Sequence, residues 1–203
     1  MTDPRIDDVL RFWFGLPGEP IGPRMQRWFV QDDGFDAECR QRFAPLIAAA
    51  AAGELDAWAE TARGALALVI VLDQLSRNVF RGTPRAFAQD ARALAVTRAA
   101  LAGGHDRELG WAERYMLRMP FQHVEDLAAQ RESVASFTAL RDEAVVAGAP
   151  PAVIGMLDGA VDYAERHARI VERFGRYPHR NEILGRVSTA EEHAFLDEPG
   201  SRF

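Results

Sequence analysis

The sequence predicts an all-α fold of about eight or nine helices packed as antiparallel hairpins. Apolar residues recur at helical spacing along the chain, and no stretch alternates with the period of two that marks a strand. Glycine and proline punctuate the helical segments at regular intervals. The links between segments are short, and short links turn successive helices back on one another. The 203 residues suit one all-helical domain over residues 1–203, long enough to bury a large core.

The elements follow in order. Asp7 to Phe14 is a short helix closed by Gly15 and Pro17. "GLPGEPIGPR" is a turn-rich loop, and Arg24 to Val30 gives another turn or two. Gly34 to Ala52 is helical but contains Pro45, where it either kinks or restarts. Ala57 to Phe80 comes next, open to interruption at Gly64. A helix from Pro84 to Ala102 ends at Gly103-Gly104. "GWAERYMLRM" is a short helix ended by Pro120, and Phe121 to Val146 is a long one. Pro150-Pro151 opens another, ending near Phe174 with Gly175 as C-cap. Ser188-Thr189 with Glu191 and Glu192 reads as a capping box for a last helix to Leu196. "DEPGSRF" is a tail. No repeat of fixed period is present.

Composition removes several function classes. The net charge of -6 opposes general nucleic-acid binding, which needs a basic excess. All 24 basic residues are arginine. Without lysine there is no Schiff base, no pyridoxal lysine and no phosphate-loop lysine, so an anion site must use arginine, histidine or backbone N–H groups. The single cysteine, Cys39, allows neither an internal disulfide nor a Cys-rich metal site. The start "MTDPRIDDVLRFWFG" lacks a signal-peptide pattern. No apolar run approaches the ~18 residues a membrane span needs. The expectation is a cytoplasmic protein with no membrane and no nucleic-acid partner.

Three polar clusters sit on apolar helices. In "LALVIVLDQLSRNVFRG", Leu66 to Leu72 is apolar around the whole helix, which marks a buried segment. It ends abruptly in Asp73, Gln74, Arg77, Asn78 and Arg81. Asp73 and Arg77, four apart and acid first, form a favourable helical ion pair. Arg77 and Arg81 also suit the negative helix end. Neither role needs Gln74 or Asn78. In "RMPFQHVEDLAAQRESVASF", residues turn 100° apiece on a continuous helix. His123, Asp126, Gln130 and Ser133 then share a stripe with Phe137, beside the buried Leu127 and Val134, and Gln122 adjoins it. Either a polar site or a structural hydrogen-bond network explains that stripe.

In "VDYAERHARIVERFGRYPHRNEILGR", His167 projects with the apolar Met156, Ala160, Tyr163, Ala164, Val171 and Phe174. The acids and arginines of that helix face solvent. The loop that follows carries Arg176, His179, Arg180 and Asn181 between glycine and proline, and loops of this kind carry function more often than helix faces do. Dipole neutralisation at the helix end equally explains Arg176. Buried charges need partners, and the least costly arrangement has the three clusters meet one another. Such a site, with Asp73, Glu125 and Asp126 nearby, suits a carboxylate or phosphate.

The blocks "LDQLSRNVFRGTPRAFAQDARAL", "MPFQHVEDLAAQRESVASF", "YAERHARIVERFGRYPHRNEILGR" and "STAEEHAFL", with the N-terminal "VLRFWFG" and "RWF", resemble a bacterial family known as domain of unknown function 924. The likeness covers nearly the whole chain. It implies an all-helical, tetratricopeptide-like stack and no activity or catalytic residue to carry over.

Three functions compete. A helical binding protein would hold a peptide or a small anionic ligand in a groove lined by arginine, histidine and amides, drawn from Asp73, Gln74, Arg77, Asn78, Arg81, Gln122, Gln130, Arg176, His179, Arg180 and Asn181. An enzyme on a small anion would use His123 or His167 as acid/base, held by Asp126 or Asp73. Against it, the chain has no G-x-S-x-G, no H-E-x-x-H and no Gly-rich phosphate loop. Paired E-x-x-H motifs for a helical di-iron site are also missing, and His123 with Asp126 supplies only two ligands, so neither metal nor cofactor is expected. A scaffold or homo-oligomer would use the clusters as an internal network, with Trp13, Phe14, Trp28 and Phe29 as its apolar surface.

Overall fold

The computed structural model describes residues 3–16, 19 and 21–201. Pro17, Gly18 and Pro20 of the turn-rich loop, the side chain of Phe29 and the last two tail residues lie outside that description. The described residues form helices and turns, with no strand among them. None of these helices is long and apolar enough to cross a membrane. The chain divides into two compact units, one of residues up to 81 with 85–117, the other of 82–84 with 118 onward. Within each, consecutive helices pack as hairpins, compatible with a tetratricopeptide-like stack.

In the first unit, α1 (Pro4–Phe14) starts on the Asp3 side chain, which accepts from the Arg5 N–H, and stops at Gly15, φ 90°. After α2 (Gly22–Phe29) comes α3 (Asp33–Ala52), capped by Asp32 and closed by Gly53. The helix α3 runs unbroken through Pro45. That proline removes one backbone bond, and the buried Phe43 and Ile47 on either side hold the helix down regardless. Trp13 is buried and stacks on Trp28, centroids 5.9 Å apart. Phe14 meets Trp28 edge-on. These aromatics pack the α1–α2–α3 corner.

The apolar run is the centre of this unit. Helix α4 (Ala62–Val69) is capped by Thr61. A Cβ on Gly64 would lie 2.1 Å from the Trp58 carbonyl oxygen, so glycine is what lets the preceding turn pack against the helix. Leu66 through Leu72 are fully buried. The winding then widens to a π turn over Ile70–Leu75 before α5 (Ser76–Val79). Sequence spacing reads this as one plain α-helix, because a run apolar on every side has no face to register an extra residue. Helix α6 runs Asp90–Ala102, starting later than Pro84. Helix α7 is Trp111–His123.

In the second unit, the expected helix from Phe121 to Val146 does not exist as one piece. Helix α7 continues through Pro120 to His123, and α8 is Leu127–Val146. The proline forfeits one bond, while the buried Met116, Leu117 and Phe121 keep the helix in place. The break falls instead at Asp126, whose side chain accepts from the Ala129 N–H at 2.8 Å and caps α8. Helix α9 (Pro151–Phe174) pairs with α8 as the main hairpin of the unit and ends at Gly175, φ 68°. The capping box of α10 (Ala190–Leu196) forms as the sequence predicts, between Thr189 and Glu192. Ile170, Val171 and Tyr177, with Leu127, Phe174 and Phe195 against them, make a small core under this end.

Candidate functional site

The first polar cluster lies in the first unit, where the π turn delivers it. Asp73 is wholly buried. Arg77 donates through Nη1 to Asp73 Oδ1 at 3.0 Å and to the Asp73 carbonyl at 3.1 Å, and through Nη2 to Asp90 Oδ1 at 2.9 Å. Gln74 Nε2 donates to Asp73 Oδ2 at 2.5 Å. One turn on, Asp36 of α3 receives Asn78 Nδ2 at 2.7 Å and Arg81 through both Nε and Nη2, at 2.5 and 3.0 Å. Burial pushes the Asp36 carboxyl up, but the hydrogen bonds from Arg81 and Asn78 outweigh it and hold it below its ordinary value. Of the five residues proposed here from sequence, Gln74, Arg77, Asn78 and Arg81 are therefore bound to aspartates within their own unit, and the fifth, Asp73, is one of those aspartates. The sequence reading missed two of those aspartates. Asp36 reads as an ordinary first-turn acid of α3, and Asp90 as one of α6.

The second and third clusters both lie in the second unit, and they converge on the C-terminal end of α7. The last carbonyls of a helix have no partner within it. Here Gln130 of α8 donates its amide to the carbonyls of Phe121, Gln122 and Val124, at 3.1, 3.1 and 2.8 Å. Tyr177 Oη donates to the Gln122 carbonyl at 2.5 Å, and Arg180 Nη1 to that of His123 at 2.9 Å. So "GRYPHRN" and the amide of α8 together close the helix that Pro120 fails to end. Glu125, in the break after α7, accepts from the Tyr177 N–H and from both terminal nitrogens of Arg186. Burial raises its carboxyl and Arg186 more than reverses that, leaving it below the ordinary range.

Arg186 also donates through Nε to Asn181 Oδ1, and Asn181 donates to Ser188 Oγ. Arg176 grips Glu192 through Nε and Nη2, at 2.7 and 2.8 Å. That pairing brings the Glu192 carboxyl down to about 2. Tyr177 and Arg186 were not among the sequence candidates. A tyrosine within a Gly/Pro-bounded loop gives no period by which to read its direction.

His167 is buried on the apolar face of α9, as its spacing predicts. Its Nδ1 lies 2.8 Å from the Tyr163 carbonyl. A carbonyl only accepts, so Nδ1 carries the proton and Nε2 is an acceptor. Burial drives the His167 pKa down to about 3, opposed by that carbonyl and reinforced by the nearby His123, Arg180 and His179. The ring stands edge-on to Tyr177 at 5.5 Å, Tyr177 lies 5.5 Å from His179, and the Arg180 guanidinium sits 4.6 Å over the Tyr177 ring. Two histidines, His167 and His179, and an arginine thus gather about one tyrosine. Around the same helix end, the side-chain atoms Gln122 Nε2, Gln130 Oε1 and Ser133 Oγ are buried without a hydrogen-bond partner. Asp126, expected as the histidine's acid/base partner, is occupied as the cap of α8. Among the described residues no three His, Cys, Asp or Glu groups gather as a metal site would need.

Comparison with known proteins agrees with this architecture. A solved structure of a protein of unknown function from Agrobacterium tumefaciens is similar over 97% of this chain and 98% of its own, at 37% identity and a TM-score of 0.78. No curated protein matches. The family model described as "Bacterial protein of unknown function (DUF924)" matches residues 9–200. The chain belongs to that bacterial family.

Proposed function

We propose that the protein is a binding protein for a small anion, a carboxylate or phosphate, held in the second unit by His123, His179 and Arg180, with the neutral His167 packed behind them. One observation carries this: buried polar atoms of Gln122, Gln130 and Ser133 have no hydrogen-bond partner, in the unit that also holds Arg180, His123, His167 and His179. Buried polar groups in folded proteins are nearly always satisfied, by protein, water or ligand. Gln122, His167 and Arg180 are each at most 6% exposed, which favours a small molecule over a peptide laid in an open groove. A histidine held near 3 is a poor proton carrier at neutral pH, so binding is better supported than acid–base catalysis. The sequence candidates Asp73, Gln74, Arg77, Asn78 and Arg81 are left out of this site, because Asp73, Asp36 and Asp90 of the same unit engage the four donors.

The test is a thermal-shift panel of acetate, propionate, lactate, phosphate and carboxylate-ended peptides. At a hundred times its dissociation constant a ligand adds ~2.7 kcal/mol, roughly 5–10 °C for a chain of this size. A shift lost in His123→Ala and kept in His193→Ala supports the site. No shift with any anion overturns it.

A further inference from the structure

We infer that residues 179–188 form a lid over the C-terminal end of α7, held shut by polar contacts and pinned by Glu125. The segment leaves the core at Tyr177, which is fully buried, and Pro178, also buried. It ends at Thr189, the cap of α10. Between those anchors no apolar side chain is fully buried: Ile183 and Leu184 are half-buried and Val187 is 88% exposed. The buried residues of the segment are Arg180 and Asn181. A segment that fully buries no apolar side chain has little hydrophobic free energy to hold it, and it opens before the core does.

Polar bonds hold it instead. Arg186 donates through Nη1 to Glu125 Oε2 at 2.6 Å and through Nη2 to Glu125 Oε1 at 2.9 Å. Arg180 Nη1 donates to the His123 carbonyl at 2.9 Å, and Arg176 Nη2 to the Val187 carbonyl at 3.0 Å. Inside the segment, Arg186 Nε donates to Asn181 Oδ1 at 2.9 Å. The Leu184 N–H donates to the Arg180 carbonyl at 2.9 Å and the Arg186 N–H to that of Asn181 at 2.8 Å. These internal bonds tie the segment into one piece, so it opens as a body. Glu125 stands outside it, in the break between α7 and α8, and takes both terminal nitrogens of Arg186. The Glu125 side chain is 21% exposed and that of Arg186 24%, so water and salt reach the pin and weaken it. His179, Arg180 and Asn181 ride on the lid, which stands whether or not an anion binds near it.

Hydrogen exchange of the full-length protein, followed amide by amide by NMR, tests the lid. The amides of Leu184 and Arg186 are expected to exchange about tenfold or more faster than those of the buried Ala160 and Ala164 in α9, through a local opening that dilute urea does not accelerate. Raising the salt from about 50 mM to about 1 M should speed the lid amides several-fold and leave α9 unchanged. Glu125→Gln, which keeps the shape of the side chain and removes its charge, should speed them about tenfold, with the amides of α8 and α9 at their native rates.

Lid amides that exchange no faster than those of α9, and only through global unfolding, overturn the lid. Lid rates unchanged by both Glu125→Gln and salt overturn the pin. Should Glu125→Gln speed exchange equally along α8 and α9, the native protein in salt decides instead: a rise confined to the lid supports the pin, and a uniform rise overturns it. Exchange is followed with no anion added, so the lid and the anion-binding reading fail separately.

Discussion

Two polar clusters, one in each unit, treat buried polarity differently. In the first, carboxylates meet guanidinium and amide groups directly: Asp73 takes Arg77 and Gln74, and Asp36 takes Arg81 and Asn78. Each of these four donors ends on a carboxylate of the cluster, and Asp73 and Gln74 lie within the π turn at Ile70–Leu75. In the second, the donors of Gln130, Tyr177 and Arg180 go to backbone carbonyls at the end of α7. A side chain spent on a carbonyl keeps its other polar atoms, and there Gln130 Oε1, Gln122 Nε2 and Ser133 Oγ remain without partners. A closed ion-pair network fixes helices, whereas a network that leaves buried polar atoms open is where the proposed ligand is sought. Polar residues on a buried helix thus carry two meanings, and the identity of their acceptors separates them.

The sharpest break between the two regions comes from Asp73→Ala. It strands the Gln74 amide, leaves Arg77 its bond to Asp90, and opens a fully buried gap, so it should cost ~3–5 kcal/mol, a fall in melting temperature of roughly 6–20 °C. No anion in the ligand panel should restore it, since this cluster is closed.

His167 gives the next effect, read as stability against pH. Its folded pKa of about 3 lies below its ordinary 6.5, so protonation favours the unfolded chain. Its contribution is fully present above pH 6.5 and is lost progressively as the pH falls toward 3, with a slope of roughly 1 kcal/mol per pH unit. Chemical denaturation across that range should show the slope in the native protein and a flatter one in His167→Gln.

Gln130→Leu uncaps three carbonyls and should lower stability by ~1–3 kcal/mol, measured by urea unfolding, together with loss of anion binding. An anion shift that survives this substitution would make the α7 end purely structural. The smallest effect belongs to Glu192. Its carboxyl falls to about 2 from an ordinary 4.5, so the Arg176 pairing stabilises above pH 4.5 and fades as the pH drops toward 2. Melting curves of Glu192→Gln should lack that low-pH step.

Much of the fold was legible because its signals are local. The Thr189–Glu192 capping box, the Gly175 stop, the buried run at Leu66–Leu72 and the Asp73–Arg77 pair all follow from residues within one turn of each other. What escaped depends on contacts distant in sequence. Pro120 reads as a helix end, but packing on both sides of it prevails and Gln130, Tyr177 and Arg180 supply the real terminus. That shift of boundary separates His123 from the stripe of Asp126 and Gln130 and turns Asp126 into a cap. Asp36 became visible only as the acceptor for Asn78 and Arg81, 42 and 45 residues further along. The histidine and loop residues of the candidate site were legible as types. Their meeting about Tyr177 was not, because a loop has no period from which to read direction.

The most direct measurement is an NMR titration of the five imidazoles with lactate and with phosphate. His123, His167 and His179 should shift together with one saturable dissociation constant, while His105 and His193 stay in place. Shifts confined to His105 and His193, or none that saturate, would contradict an anion site at the end of α7.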